Sequence, residues 1–171
     1  MTDIRLARIK LLLMDVDGVL TDGSIAYTGD DMQTMIFNVK DGFGLRILMG
    51  AGIVAGVITG RKSSALSRRM RELGVGFCFD GVADKVPVLN RILQETGCRA
   101  EETAYIGDDL PDLSIMKMVG VPIAVADAVP EIQECAAIIT VKPGGKGAVR
   151  EICDAILQAK GLWTDLLEKW Q

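Results

Sequence analysis

Short aliphatic runs alternate with longer segments of helical period along nearly the whole chain. Residues 9–16, 53–58, 77–79, 103–106, 121–125 and 137–141 have the length and branched-chain content of buried strands. Between them, residues 41–50, 63–73, 85–96, 113–119, 130–136 and 148–159 carry apolar side chains three and four positions apart, as amphipathic helices do. Ser63 and Asp84 stand where helix N-caps belong, and Gly74 and Gly97 where helices stop. This order predicts an α/β fold: a three-layer, Rossmann-like arrangement with a parallel sheet between helices.

One segment breaks the alternation. Residues 24–27 and 33–38 read as two strands around the turn-forming Thr28-Gly29-Asp30-Asp31, a hairpin inserted at about 23–39, just after the first strand. Met35, Phe37 and Val39 give it one apolar face, and an isolated two-stranded hairpin is marginal in water, so packing against other subunits is expected. The C-terminal tail, about 160–171, spaces Trp163, Leu166, Leu167 and Trp170 for a short amphipathic helix docked on its own or a neighbouring subunit. No repeat or linker interrupts the order, and 171 residues suit one domain, 1–171.

Composition narrows the chemistry. With 49% hydrophobic and 25% charged residues, the balance is that of a soluble globular core. The absence of histidine removes imidazole bases, histidine phospho-intermediates and His-ligated zinc. Nineteen basic against 23 acidic residues, a net charge of -4, argue against nucleic acid as a partner. The longest apolar run near the N-terminus is too short to span a bilayer, so no membrane association is expected. Cys78, Cys98, Cys135 and Cys153 form no CxxC pair and sit in apolar stretches, as reduced thiols of a cytoplasmic protein do.

Ligands of open parallel sheets bind at the carboxyl ends of the strands. Three strands end in chemistry: Asp15-Val16-Asp17-Gly18, then Thr59-Gly60-Arg61, then Gly107-Asp108-Asp109-Leu110-Pro111-Asp112. A single acid at such a place is usually a cap or a solvated group, and Asp22 or Asp109 alone implies no more. Asp15, Asp17 and Asp108 together would repel one another unless a cation sat among them, and all-oxygen ligands point to Mg2+. The Thr59 hydroxyl, the Gly60 N–H and Lys85 would hold phosphate. Asp15 is then placed to attack phosphorus and form an aspartyl-phosphate, with Asp17 giving a proton to the departing alkoxide and taking one from water.

These residues resemble the motifs of the haloacid dehalogenase superfamily: DxDGxxTDG at Asp15 to Gly23, Thr59, Lys85, and the acidic loop through Asp112. The resemblance implies that Asp15 is nucleophile and metal ligand, and that Asp17 lends Mg2+ its backbone carbonyl. It makes Asp108 the third protein ligand and Asp112 a supporting carboxylate of the acidic loop. A closer resemblance, to the capless 3-deoxy-D-manno-octulosonate 8-phosphate (KDO 8-phosphate) phosphatases, rests on Phe37-Asn38-Val39-Lys40-Asp41-Gly42-Phe43-Gly44, Ile58-Thr59-Gly60-Arg61-Lys62 and Gly144-Gly145-Lys146-Gly147-Ala148-Val149-Arg150-Glu151. It implies a sugar-phosphate substrate on the route to lipopolysaccharide, no cap domain, and a homotetramer whose hairpins assemble centrally and whose active sites lie at subunit interfaces.

Arg61 is suited to pair bidentately with a sugar-acid carboxylate, and the resemblance ties arginine here to the eight-carbon substrate. A nine-carbon sialic-type acid phosphate, or another phosphosugar, remains the alternative substrate. A catalytically silent scaffold is the alternative of another class. Arg69, on the same helix, is either a substrate contact at a neighbouring site or a solvated helix arginine. Residues 143–147 lack the GxxxxGK spacing of a nucleotide-binding loop and read either as a lid or as a glycine-rich connection.

Overall fold

Leu11, Leu12, Leu13 and Met14 are fully buried, because β1 (Leu11–Met14) runs through the middle of a sheet covered on both faces. The structure, a computed structural model, describes residues 3–28 and 32–169. After β1 come the hairpin strands β2 (Ala26–Thr28) and β3 (Met32–Thr34), α1 (Val39–Gly50), β4 (Val54–Ile58), α2 (Ser64–Leu73), β5 (Phe77–Phe79) and α3 (Lys85–Thr96). The second half continues through β6 (Thr103–Gly107), α4 (Leu113–Met116), β7 (Val121–Ala124), α5 (Pro130–Cys135), β8 (Ile138–Ile139), α6 (Ala148–Ala159) and α7 (Trp163–Glu168).

The main sheet has six strands in the order β5-β4-β1-β6-β7-β8, every pair parallel. Helices α1, α2 and α6 form one outer layer, and α3, α4 and α5 the other. The chain winds outward from β1 to β5, then crosses back to β6 on the other side of β1. That reversal opens a crevice above the carboxyl end of β1, the place where open α/β sheets bind their ligands. Gly56 lets β4 pack closely: a Cβ there would stand 2.8 Å from Phe77 Cβ and 2.9 Å from Leu13 Cδ2.

The expected fold class is the one observed, and the helix ends match closely. The Ser63 and Asp84 side chains cap α2 and α3, and Gly74 and Gly97 end them in the left-handed conformation. The differences have local causes. Residues 9–16 supply only a four-residue strand, because the Val16 carbonyl already accepts N–H groups from Leu20 and Thr21 in the following turn. The helix expected at 113–119 is preceded by a 3-10 turn, Leu110–Asp112, and stops at Met116. The last strand shrinks to Ile138–Ile139 at the sheet edge. A 3-10 turn at Ile4–Arg8, capped by Asp3 and burying Leu6, was not expected.

The hairpin exists as β2 paired antiparallel with β3, its strands shorter than the 24–27 and 33–38 expected; its turn at 29–31 lies outside the described residues. Met35 and Phe37 pack against the core, whereas Ile36 and Val39 are each 75% exposed, so Val39 does not share their face. In the tail, Trp163 and Leu166 of α7 pack inward, Leu167 is exposed, and Trp170 lies outside the described residues. No helix among the described residues is long and apolar enough to cross a membrane.

Candidate active site

Asp15 follows β1 directly, its N–H still donating to Ile106 O of the neighbouring strand at 3.0 Å. Thr59 follows β4 and is tied on both sides, through its N–H to Phe79 O and its carbonyl to Val82 N. Lys85 opens α3 beside its cap, Asp84. Asp108 and Asp112 flank the turn after β6. Asp15, Asp17, Thr59, Gly60, Arg61 and Lys85 line one cavity of about 390 Å3 with Val82, Ala83 and Pro111. Strand order has thus brought four separate chain segments to one crevice.

Lys85 is the hub of this crevice. Its side chain is 3% exposed, and its ammonium lies 2.9 Å from Asp15 Oδ2 and 2.6 Å from Asp112 Oδ1. It also donates to the Tyr105 hydroxyl at 3.1 Å, and Tyr105 donates to Asp112 Oδ1 at 2.7 Å. Burial alone would favour a neutral amine, but the facing carboxylates of Asp112 and Asp15 more than compensate, and the Lys85 pKa is raised. Asp112 is fully buried; its second oxygen accepts the Asp108 N–H at 3.0 Å.

Asp15, Asp108 and Asp112 each bring a carboxylate oxygen within 4.8 Å of the others. Burial, then the Asp112 charge, push Asp15 up to about 6 against the opposing pull of Lys85. The same two causes, with Asp15 added, push Asp108 up to about 7. Asp108 Oδ1 is buried with no hydrogen-bond partner. An orphaned carboxylate oxygen beside a second acid fits a hard divalent cation, which would draw both groups to the ionised form. Asp112 differs, since both its oxygens already accept hydrogen bonds from Lys85, Tyr105 and the Asp108 backbone.

The Asp17 carboxylate lies outside this cluster and pairs with Arg61, Nε to Oδ2 at 3.1 Å. Arg61 N also donates to the Thr59 hydroxyl at 3.4 Å, a long bond that leaves the hydroxyl proton free for an incoming oxygen. Asp108 and Asp112 stand beside Asp15 and Lys85 without lining the cavity, and Arg69 is the expected site residue that joins neither the cavity nor this cluster. Its guanidinium lies over Gly42 of α1, where any Cβ would collide with it, and it reaches Glu72 at 3.7 Å. Within this chain it is a half-buried packing arginine.

Several supporting residues escape a reading by motif. A Cβ on Gly18, itself at φ +81°, would run into the Asp108 carboxylate, so only glycine admits that approach. The segment 143–147 is anchored rather than open. Gly144 N donates to Asp127 Oδ1, Gly145 N to Val19 O, and Gly147 N to Asp41 Oδ2, so it braces the loop after β1. Tyr105 left one sequence trace: a phenol inside an otherwise aliphatic buried strand must find a partner for its hydroxyl.

The chain is similar to known phosphatases. The model for the haloacid dehalogenase-like hydrolase family matches residues 79–152. The 3-deoxy-D-manno-octulosonate 8-phosphate phosphatase KdsC of Yersinia pestis is 43% identical over 156 residues, 91% of this chain and 83% of that protein. A phosphatase of the same description from Moraxella catarrhalis, solved with a magnesium ion, a phosphate ion and a KDO molecule, superposes with a TM-score of 0.96 at 39% identity over 100% of this chain and 99% of that one. The cobalt-bound form of the Haemophilus influenzae phosphatase superposes at 0.91 with 41% identity, covering 94% of each chain.

Proposed function

Since the chain belongs to the 3-deoxy-D-manno-octulosonate 8-phosphate phosphatases among the haloacid dehalogenase-like hydrolases, we propose that its crevice removes phosphate from that sugar phosphate with Mg2+. The observation that carries the reading is the buried Lys85 ammonium held between Asp15 and Asp112, with the orphaned Asp108 oxygen beside them. A cation, a nucleophile and a metal-ready carboxylate thus converge at the end of β1.

In this reading a substrate phosphate enters with its oxygens toward Lys85, the Thr59 hydroxyl and the Gly60 N–H. An Asp15 carboxylate oxygen attacks phosphorus, the phosphorus–alkoxide bond breaks, and Asp17 gives its proton to the departing sugar oxygen. Water then attacks the aspartyl-phosphate, Asp17 takes the water proton, and phosphate leaves with Asp15 restored. The carboxylates of Asp15 and Asp108 and the Asp17 backbone carbonyl would hold Mg2+, which would supply positive charge against the repulsion between carboxylate and phosphate. Lys85 spreads further positive charge over the equatorial oxygens, which is most of what phosphoryl transfer asks of a protein. Arg61, at the mouth of the cavity, takes the carboxylate of the sugar acid.

The open cavity also needs a cover, because one domain without a cap leaves the intermediate exposed to solvent. Exposed Ile25, Tyr27, Ile36 and Val39 around the hairpin support a homo-oligomer, taken here as the tetramer, with a neighbour closing each site. The four free thiols suit the reducing cytoplasm.

Phosphate release from 3-deoxy-D-manno-octulosonate 8-phosphate, measured with Mg2+ and with chelator beside a nine-carbon sialic acid 9-phosphate, tests the reading. Metal-dependent release favouring the eight-carbon acid is expected. No release from it, or equal release with chelator, defeats the assignment.

A further inference from the structure

Tyr105 lies on β6 with no exposed surface, and its hydroxyl closes a ring of three hydrogen bonds with Lys85 and Asp112. An ammonium has three N–H groups. Those of Lys85 are all directed: to Asp15 at 2.9 Å, to Asp112 at 2.6 Å and to Tyr105 at 3.1 Å. The tyrosine gives its only proton to Asp112 and turns a lone pair to Lys85, so it serves as acceptor for the third N–H without bringing a second full charge behind the lysine. Asp112 in turn holds the Asp108 N–H, which links the ring to the loop bearing the orphaned oxygen.

We propose that Tyr105 is a positioning residue for catalysis: its buried hydroxyl fixes the rotation of the Lys85 ammonium, so that one N–H stays aimed at Asp15 and the phosphate it receives. Tyr105 does not line the cavity and touches no substrate; it acts through Lys85. Two carboxylates can hold the charge of Lys85 by themselves, but they leave the third N–H of this 3% exposed side chain without a protein acceptor. Without the phenol oxygen the ammonium turns toward Asp112 and leaves the direction of the reacting group. Transition-state stabilisation depends on such directions more steeply than ground-state binding does.

The proposal rests on the phosphatase reading, and its test separates the two. Tyr105→Phe keeps the ring in place and deletes only the hydroxyl. In wild-type protein carrying 15N in its lysine side chains, the ammonium signal lost in Lys85→Arg should exchange slowly with water; Tyr105→Phe should broaden it or speed its exchange about tenfold or more. Against the sugar phosphate, kcat should fall roughly 10- to 100-fold while KM stays within about threefold. Leu6→Ala, a cavity substitution far from the crevice, controls for lost stability: at a comparable fall in Tm it should retain kcat and the Lys85 signal. An unchanged Lys85 signal in Tyr105→Phe, a kcat within about twofold of wild type, or an equal kcat loss in Leu6→Ala overturns the proposal. If wild type releases no phosphate, the phosphatase reading fails, and the Lys85 signal alone still decides whether Tyr105 orients the ammonium.

Discussion

Arg61 and Asp17 form an ion pair at the mouth of the cavity, Nε to Oδ2 at 3.1 Å, each about a quarter to a third exposed. The group suited to a sugar-acid carboxylate therefore already holds a protein carboxylate, and the acid/base of the proposed reaction is already engaged. A substrate carrying its own carboxylate can exchange with Asp17 on Arg61, whereas a plain phosphate monoester has only its phosphate to offer, which this reading gives to Lys85, Thr59 and Gly60.

Arg61→Ala should accordingly raise KM for the carboxylate-bearing sugar phosphate by roughly tenfold or more while changing kcat/KM for a monoester without a carboxylate by much less. Steady-state kinetics on the two substrates checks this. An equal loss on both would assign Arg61 to phosphate binding instead.

Asp15→Asn should lower turnover at least about 1,000-fold, because an amide cannot form the acyl phosphate. Its fold should survive, since Lys85 keeps Asp112 and one of the crowded carboxylates is neutralised. Rapid quenching should trap phosphoprotein in wild type and none in the variant; phosphoprotein in Asp15→Asn would relocate the nucleophile.

Proton linkage gives a pH signature of the metal site. With Asp15 raised to about 6 and Asp108 to about 7, the metal-free native state binds more protons than the unfolded chain between about pH 4 and 7. Metal-free stability therefore falls as pH rises through that window. Mg2+ binds the ionised pair and offsets the fall, so the Tm increase on adding Mg2+ should be small at pH 5 and grow up to about pH 7.5. Calorimetry with and without metal measures it, and a Tm increase independent of pH would place the ion elsewhere.

Gly18→Ala should cost about 1–3 kcal/mol, because a Cβ there meets the Asp108 carboxylate at a backbone angle that only glycine adopts freely. The displaced Asp108 should weaken Mg2+ binding by about tenfold or more, well beyond the effect of the same substitution at Gly50, where a Cβ meets nothing. Metal titration of both variants compares them.

Asp41→Ala removes an N-cap supplied from outside the helix. Gly147 has no side chain to cap α6, and the buried Asp41 carboxylate of α1 accepts its N–H at 3.2 Å and that of Arg150 at 2.8 Å. A loss of about 1–3 kcal/mol in urea unfolding is expected, with Asp41→Asn recovering part of it. A loss below about 0.5 kcal/mol would show that the loop caps itself.

Much of this molecule is written in local pattern. Strand and helix alternation, the caps at Ser63 and Asp84, and the acids after β1 and β6 depend on neighbours close in the chain, so spacing and residue type suffice to find them. Motif order likewise marks Asp15, Asp17, Thr59, Lys85 and Asp108, and strand topology gathers them at one crevice. The ends of β1 and β8 were less legible, because a strand stops where its carbonyls are taken by a turn or its neighbour runs out.

Tertiary structure alone decided the rest. Nothing in the chain order says that Tyr105 sits behind Lys85, that Asp17 faces Arg61, that Arg69 lies on Gly42, or that Asp41 caps a helix more than a hundred positions away. Each of these contacts joins elements that meet only once the sheet is assembled. Hydrogen bonds and ion pairs fade within a few ångströms, so their partners are chosen by folded distance, while hydrophobic periodicity is a property of the chain itself.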